Sequence, residues 1–348
     1  MSVTASGGPA SGGSSFGGPA PLHLPGLAPG ARVQHELLVR ERAEKVTKDG
    51  KPYVVLVLGN RSGVIECAPF WFERLDWVDG ADQGRVVQVI GDVKLAAFNG
   101  AAKRQLTVTA PLRVLPDSQF SPADFLPHVD EDVEKLWDRL DRARGAVQSE
   151  ALGTVLNAVF GDDAFRVQFE RAPGSTKGHH AKIGGLLQHT VEVANIAKMS
   201  AKAVRRVNEE LVVAGALLHD IGKVEAYEVS PAGFSATPCG LLVGHVVLGV
   251  LHLERCLQAL GEMPCSEGQM LELRHMILSH HGKLEYGSPV VPMTVEAQIV
   301  HHADDASAKA TDFLDALDDA DLWAEGGEVS KRSWQLGRQL WKRPHEWS

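Results

Sequence analysis

The sequence predicts a two-domain protein, a small all-β barrel followed by an all-α domain. Three observations predict it. Short runs of β-branched and aliphatic residues, broken at Gly-containing turns, fill residues 31–115. Several prolines gather in 116–130, and beyond them apolar residues recur at helical spacing almost to the C-terminus. A length of 348 residues suits two modest domains, and 44% apolar with 23% charged residues is ordinary for a chain with a real core.

Residues 1–30 are rich in Gly, Ser, Pro and Ala and nearly uncharged, so they bury too little apolar surface to offset chain entropy and are expected as a flexible tail. They carry neither the basic nor the apolar region of a secretory signal. Over 31–116, strands are expected to break at Asp49-Gly50, Asn60–Gly63, Gly91-Asp92 and Asn99-Gly100. Several short strands in so few residues point to a five-stranded OB-fold. Such barrels bind single strands through a basic groove and stacking aromatics, for which Tyr53, Phe70, Trp71 and Phe98 with Lys94, Lys103 and Arg104 are candidates. The other reading is that the aromatics fill the barrel interior. Residues 117–130 read as a linker and 131–325 as a helical domain. The stretch 326–348 reads as a C-terminal helix or tail, whose basic and aromatic residues either pack on the bundle or touch nucleic acid.

A formal net charge of -9 lowers the expectation of nucleic-acid binding without excluding it, because the acidic residues concentrate in 130–170 and 304–328. Four scattered cysteines without a C-x-x-C pair argue against a zinc ribbon or a disulfide framework and for a reducing compartment, the cytoplasm by default. No apolar stretch reaches the roughly 20 residues of a membrane helix.

The chemistry lies in the fifteen histidines. In Leu217-Leu218-His219-Asp220-Ile221-Gly222-Lys223, imidazole and carboxylate stand side by side near a helix end, where both reach one metal ion and the carboxylate can bridge to a second. Such a set suits Mn, Fe, Co, Ni or Zn. A lone His-Asp pair is weak evidence, since a helix histidine is more often a satisfied polar group. Here it has company. His189, His245, His280-His281 and Asp304 each fall on a different expected helix, so a bundle can bring them to one interior point.

That order resembles the HD superfamily of metal-dependent phosphohydrolases. APGSTKGHHAKIGGLLQHT, GALLHDIGKVEAY, GLLVGHVVLG and LSHHGKLEYGSPVVPMTVEAQIVHHADD, together with the OB-like segment, resemble the YhaM family of 3′-to-5′ exoribonucleases over residues 30–320. The resemblance implies an HD-type helical domain in which His189, His219, Asp220 and Asp304 ligate one metal. Asp220 then bridges to a second metal completed by His245, His280 and His281. It makes Lys223 a contact to a substrate phosphate. It leaves His179 and His180 open between substrate contact and helix positioning, and Glu285, Tyr286 and Ser288 between pocket lining and a structural turn. One position departs: Ser307 stands where the family usually has a second Asp three residues after the Asp ligand, which puts metal preference or activity in question.

The implied activity is removal of nucleoside 5′-monophosphates from a 3′ end by two divalent ions, manganese by analogy, with cobalt, iron, nickel and magnesium open. The partner is single-stranded RNA or DNA, since no reader of a 2′-hydroxyl is visible. No membrane partner is expected, and a homo-oligomer is left open. Two rivals stand beside this reading: an HD enzyme acting on small nucleotides, for which the attached barrel has no use, and a single-strand-binding protein without catalysis, against which the full ligand set argues.

Overall fold

The computed structural model describes residues 22–98, 101–120, 125–230, 233–319, 322–324, 326–333 and 335–346. An antiparallel sheet precedes a helical domain, as the sequence predicts. The sheet holds β1 (Arg32–Val46), β2 (Pro52–Asn60), β3 (Gly63–Glu66), β4 (Phe70–Trp71), β5 (Val86–Phe98), β6 (Ala101–Val108) and β7 (Arg113–Val114). Its main path is β3-β2-β1-β5-β6. A parallel bridge between Cys67 and Leu106 closes the ends, with the Ala68 amide 2.9 Å from the Leu106 carbonyl. This is the closed five-strand path of an OB-type barrel, with the two-residue β4 and β7 as additions. A bulge between Val39 and Glu41 bends the long β1 so that it serves both halves. Val33, Leu37, Leu56, Leu58, Val89 and Leu106 fill the interior.

Two expectations for this region are corrected. Gly91-Asp92 does not break a strand, since β5 runs straight through it. The glycine is there for close approach: a Cβ on Gly91 would stand 2.7 Å from the Thr107 carbonyl oxygen of β6. The flexible tail does not extend to residue 30. Leu24 is buried, the Leu22 carbonyl accepts from Asn60 Nδ2 at 2.7 Å, and the Gly30 amide donates to the Val93 carbonyl at 2.7 Å. The Asn99-Gly100 turn and the Phe98 side chain lie outside the described residues.

The helical domain comprises α1 (Val133–Gly145), α2 (Glu150–Phe160), α3 (Asp163–Arg171), α4 (Gly185–Ala203), α5 (Glu209–Leu218), α6 (Lys223–Ala226), α7 (Pro238–Leu242), α8 (His245–Gln258), α9 (Glu267–Ser279) and α10 (Val295–Asp318). Asn208 caps α5 by accepting from the Leu211 amide. From Val212 to Leu218 that helix is enclosed on every side, which makes it the axis of the bundle.

The all-α expectation needs one correction. A hairpin, β8 (Tyr227–Ser230) and β9 (Gly233–Ala236), follows α6. Its Val229 and Phe234 pack with Leu126 and Ile183 against Leu38 and Val86 of the barrel, so hairpin and linker seat one domain on the other. Residues 326–346 form no helix where they are described. They fold back on themselves, with Val329 paired to Trp341 and Gly337 at φ 64 turning the chain.

Candidate metal centre

The site forms where polar helix ends meet an apolar core. His219 is the C-terminal cap of α5 and His280 that of α9. Helix C-termini carry partial negative charge, so both ends favour a cation at the point they share. α4 contributes His189, α8 opens on His245, and α10 contributes Asp304 from its N-terminal half. Asp220 is buried at the centre.

Asp220 turns its two oxygens to different partners. Oδ2 lies 3.4 Å from His189 Nε2 and 3.1 Å from His219 Nε2. Oδ1 lies 3.5 Å from both His245 Nε2 and His280 Nε2. Asp304 Oδ1 completes the first side at 3.0 Å from His189 Nε2, and His281 Nε2 completes the second at 3.2 Å from His245 Nε2. Two triads result, His189–His219–Asp304 and His245–His280–His281, each with its donor atoms within 4.8 Å of one another. Their chemistry fits divalent transition metals, imidazole and carboxylate converging with lone pairs inward. Two buried atoms support that fit: Asp220 Oδ1 and His280 Nε2 have no hydrogen-bond partner. The structure thus brings together all seven residues that the sequence singles out as ligands.

The histidines are aimed from behind. The Nδ1–H groups of His219, His280 and His281 donate to the carbonyls of Ala216, Ile277 and Tyr286, each at 2.7 Å, which leaves Nε2 free to ligate. His189 differs. Its Nδ1 meets the hydroxyl of buried Ser307 at 3.1 Å, and that hydroxyl donates to Glu192 Oε2 at 2.8 Å. Glu192 also accepts from His180 Nε2 at 3.1 Å. Sequence reasoning missed Glu192, although it lies three residues after His189 and so on the same helix face.

Electrostatics follow the geometry. Burial works against the Asp220 carboxylate, yet Lys223, with Nζ 2.6 Å away, and His219 hold its pKa well below the usual range. Burial lowers His245, and lowers His281 to about 4, so both are neutral and ready to ligate. Burial likewise disfavours the His189 cation, but hydrogen bonds to Asp220 and Asp304 prevail and raise its pKa to about 8.

The remaining candidates divide. An open cleft of about 200 Å³ over the site is lined by His179, Lys223, His281, Tyr286, His301 and Asp304, among others. His180 instead points inward, buried, into the Glu192 contact. Ser288 is buried and bonds the Leu278 and Val290 carbonyls, the turn alternative, while Glu285 is exposed and does not line the cleft. His301 holds the His280 carbonyl at 2.8 Å from Nδ1. On the barrel, Tyr53 and Trp71 pair across β2 and β4 with ring centroids 4.9 Å apart, Trp71 half exposed. Phe70 is core. Lys94 is exposed, Lys103 is paired to Glu66 at 2.9 Å, and Arg104 bonds the Pro25 carbonyl.

A helical fold that gathers His, His-Asp, His, His-His and Asp at one buried point defines an HD-domain phosphodiester hydrolase, and an HD domain model matches residues 186–309. The sequence is 30% identical to the 3′-5′ exoribonuclease YhaM of Bacillus subtilis (strain 168), over 90% of this chain and 96% of that one. It is 29% identical to YhaM of Geobacillus sp. (strain WCH70), over 90% and 93%, and 27% identical to that of Listeria innocua, over 90% and 96%. The chain belongs to the YhaM family. No solved structure matches it.

Proposed function

We propose that the protein is a metal-dependent 3′-to-5′ exonuclease of single-stranded RNA, releasing nucleoside 5′-monophosphates. The observation that carries the reading is Asp220, whose two oxygens each address a separate triad of donors. His189, His219 and Asp304 with Asp220 Oδ2 would hold one divalent ion, and His245, His280 and His281 with Oδ1 a second, manganese by analogy with the family. Such ions supply Lewis-acid stabilisation of the phosphate and an activated water. The chain supplies the rest. Lys223 holds Asp220 ionised and places a cation at the cleft. His179 and Tyr286 flank the entry, and the Tyr53–Trp71 pair offers a stacking platform for a strand held on the barrel.

We place the barrel at residues 31–116 and the HD domain at 131–325. We assign the protein to the cytoplasm, which its four free cysteines support. Among the described residues no helix is long and apolar enough to cross a membrane.

The test is degradation of 5′-labelled RNA and matched DNA with manganese, beside free nucleotides. A ladder shortening from the 3′ end is expected with RNA, and lost on replacing His219→Ala with Asp220→Ala. Release from free nucleotides alone would overturn the polymer reading, and unchanged hydrolysis in the double variant would overturn the site.

A further inference from the structure

We infer that the folded-back C-terminal strap, residues 328–346, is a binding surface for the phosphate backbone of the RNA and leads it to the cleft. This rests on the proposed action on single-stranded RNA and extends it from a site to a track.

The strap is a built element. The Ser330 amide donates to the Leu340 carbonyl at 2.9 Å, the Ser333 amide to the Arg338 carbonyl at 2.8 Å, and the Lys342 amide to the Glu328 carbonyl at 2.7 Å. Ser330, Ser333 and Leu340 are buried beneath it. What remains outside is cationic. Lys331, Arg332, Arg338, Lys342 and Arg343 are exposed, against Glu328 and Glu346, in a chain of net charge -9. Such local reversal of an acidic chain's sign marks a surface for anions.

Neutralising the acidic end of α10 is the competing explanation, and two of its acids are met from elsewhere. Asp312 faces His179 at 3.7 Å and Asp315 faces Lys182 at 3.6 Å, both from the loop before α4. Arg338 and Lys342 lie instead over the rings of Phe313 and Trp323, at 5.7 and 5.9 Å, and Trp341 is 56% exposed. Cations interleaved with exposed aromatic faces bind single strands without reading their sequence.

The strap also stands in the right place. Phe313 follows Asp304 by nine residues on α10, about 14 Å along the helix at its usual rise. Gln335 Nε2 lies 3.8 Å from where a Gly178 Cβ would stand, beside His179 at the cleft mouth. A strand on the strap therefore reaches the metal centre within a few nucleotides.

The test is the full-length variant Arg332→Gln/Arg338→Gln/Lys342→Gln/Arg343→Gln, its folding checked by thermal melting. On a 20-nucleotide single-stranded RNA, KM should rise about tenfold with kcat little changed, and the salt slope of log KM should fall by roughly 2 to 3 for the lost phosphate contacts. Turnover of bis(p-nitrophenyl) phosphate, too small to reach the strap, should stay as it was. An unchanged KM and salt slope on the RNA, or equal losses on both substrates, would overturn the track. An unaltered enzyme that turns over the small diester but leaves RNA intact would overturn the RNA reading itself.

Discussion

Ser307 Oγ lies 3.1 Å from His189 Nδ1 and donates its own hydrogen bond to Glu192. Because a carboxylate only accepts, the hydroxyl must take the imidazole's Nδ1–H, and Nε2 is left facing Asp304 and Asp220. Serine thus meets at one remove the need that a carboxylate at this position would meet directly. Ser307→Ala should weaken metal binding at the His189 triad about 10- to 100-fold, as loss of an outer hydrogen bond does at other metal sites. Ser307→Thr, which keeps the hydroxyl, should restore it. Calorimetric titration with manganese measures both, and an alanine variant of unaltered affinity would sink the assignment.

Metal binding should release a proton at neutral pH. His189 titrates at about 8 in the metal-free protein, whereas His281, at about 4, is already neutral. A metal must expel the His189 proton, so affinity falls as pH drops below 8, by up to about tenfold per unit, and flattens above it. Titration at pH 7 in buffers of differing ionisation enthalpy should report about one proton released, and nearly none at pH 9. No release at pH 7 would contradict the ligand role of His189.

Gly222 in the His-Asp-Ile-Gly-Lys run is where α6 crosses the start of α8. A Cβ there would collide with the His245 carbonyl and the Gly249 amide. Gly222→Ala should cost about 1–3 kcal/mol of stability, the usual penalty of overpacking. It should also displace His245 and weaken binding at the second triad more than at the first. Equal weakening at both, by differential titration, would argue against this local cause.

The aromatic pair on the barrel makes a separable prediction. Tyr53→Ala and Trp71→Ala should each weaken single-strand binding by about 1–3 kcal/mol, the worth of one stacked base. Fluorescence anisotropy in a His219→Ala/Asp220→Ala background removes hydrolysis from the measurement. If both variants bind as tightly as that background, the pair is barrel packing alone.

The candidate ligands stood out in the sequence because each sits at a helix terminus or in a helix whose punctuation is local, and the resemblance to the HD superfamily then grouped them as one set. Gly244 precedes His245, Asn208 caps α5, and His280 and His281 follow the last periodic residues of α9. Hairpin turns at Asp49-Gly50 and Asn60–Gly63 are equally local. The hairpin after α6 was legible too in principle, since Tyr227, Val229 and the residue types Pro-Ala-Gly at 231–233 carry its sequence pattern, but the four-residue strands are short beside the flanking helices. Gly91 misled because a glycine that admits a neighbouring strand looks, in one dimension, like one that turns the chain.

By itself the sequence determined the two-part architecture, most of the helices, and the histidines and aspartates offered for metal binding, because period, capping and turn chemistry act between residues near in the chain. Only the tertiary structure decided how those groups share their lone pairs. That Asp220 faces two triads, that Ser307 and Glu192 aim His189, and that a basic strap rather than a helix lies beside Gly178 all depend on distances between residues far apart in sequence. Those distances are set by the packing of helices around α5, and no local pattern encodes them.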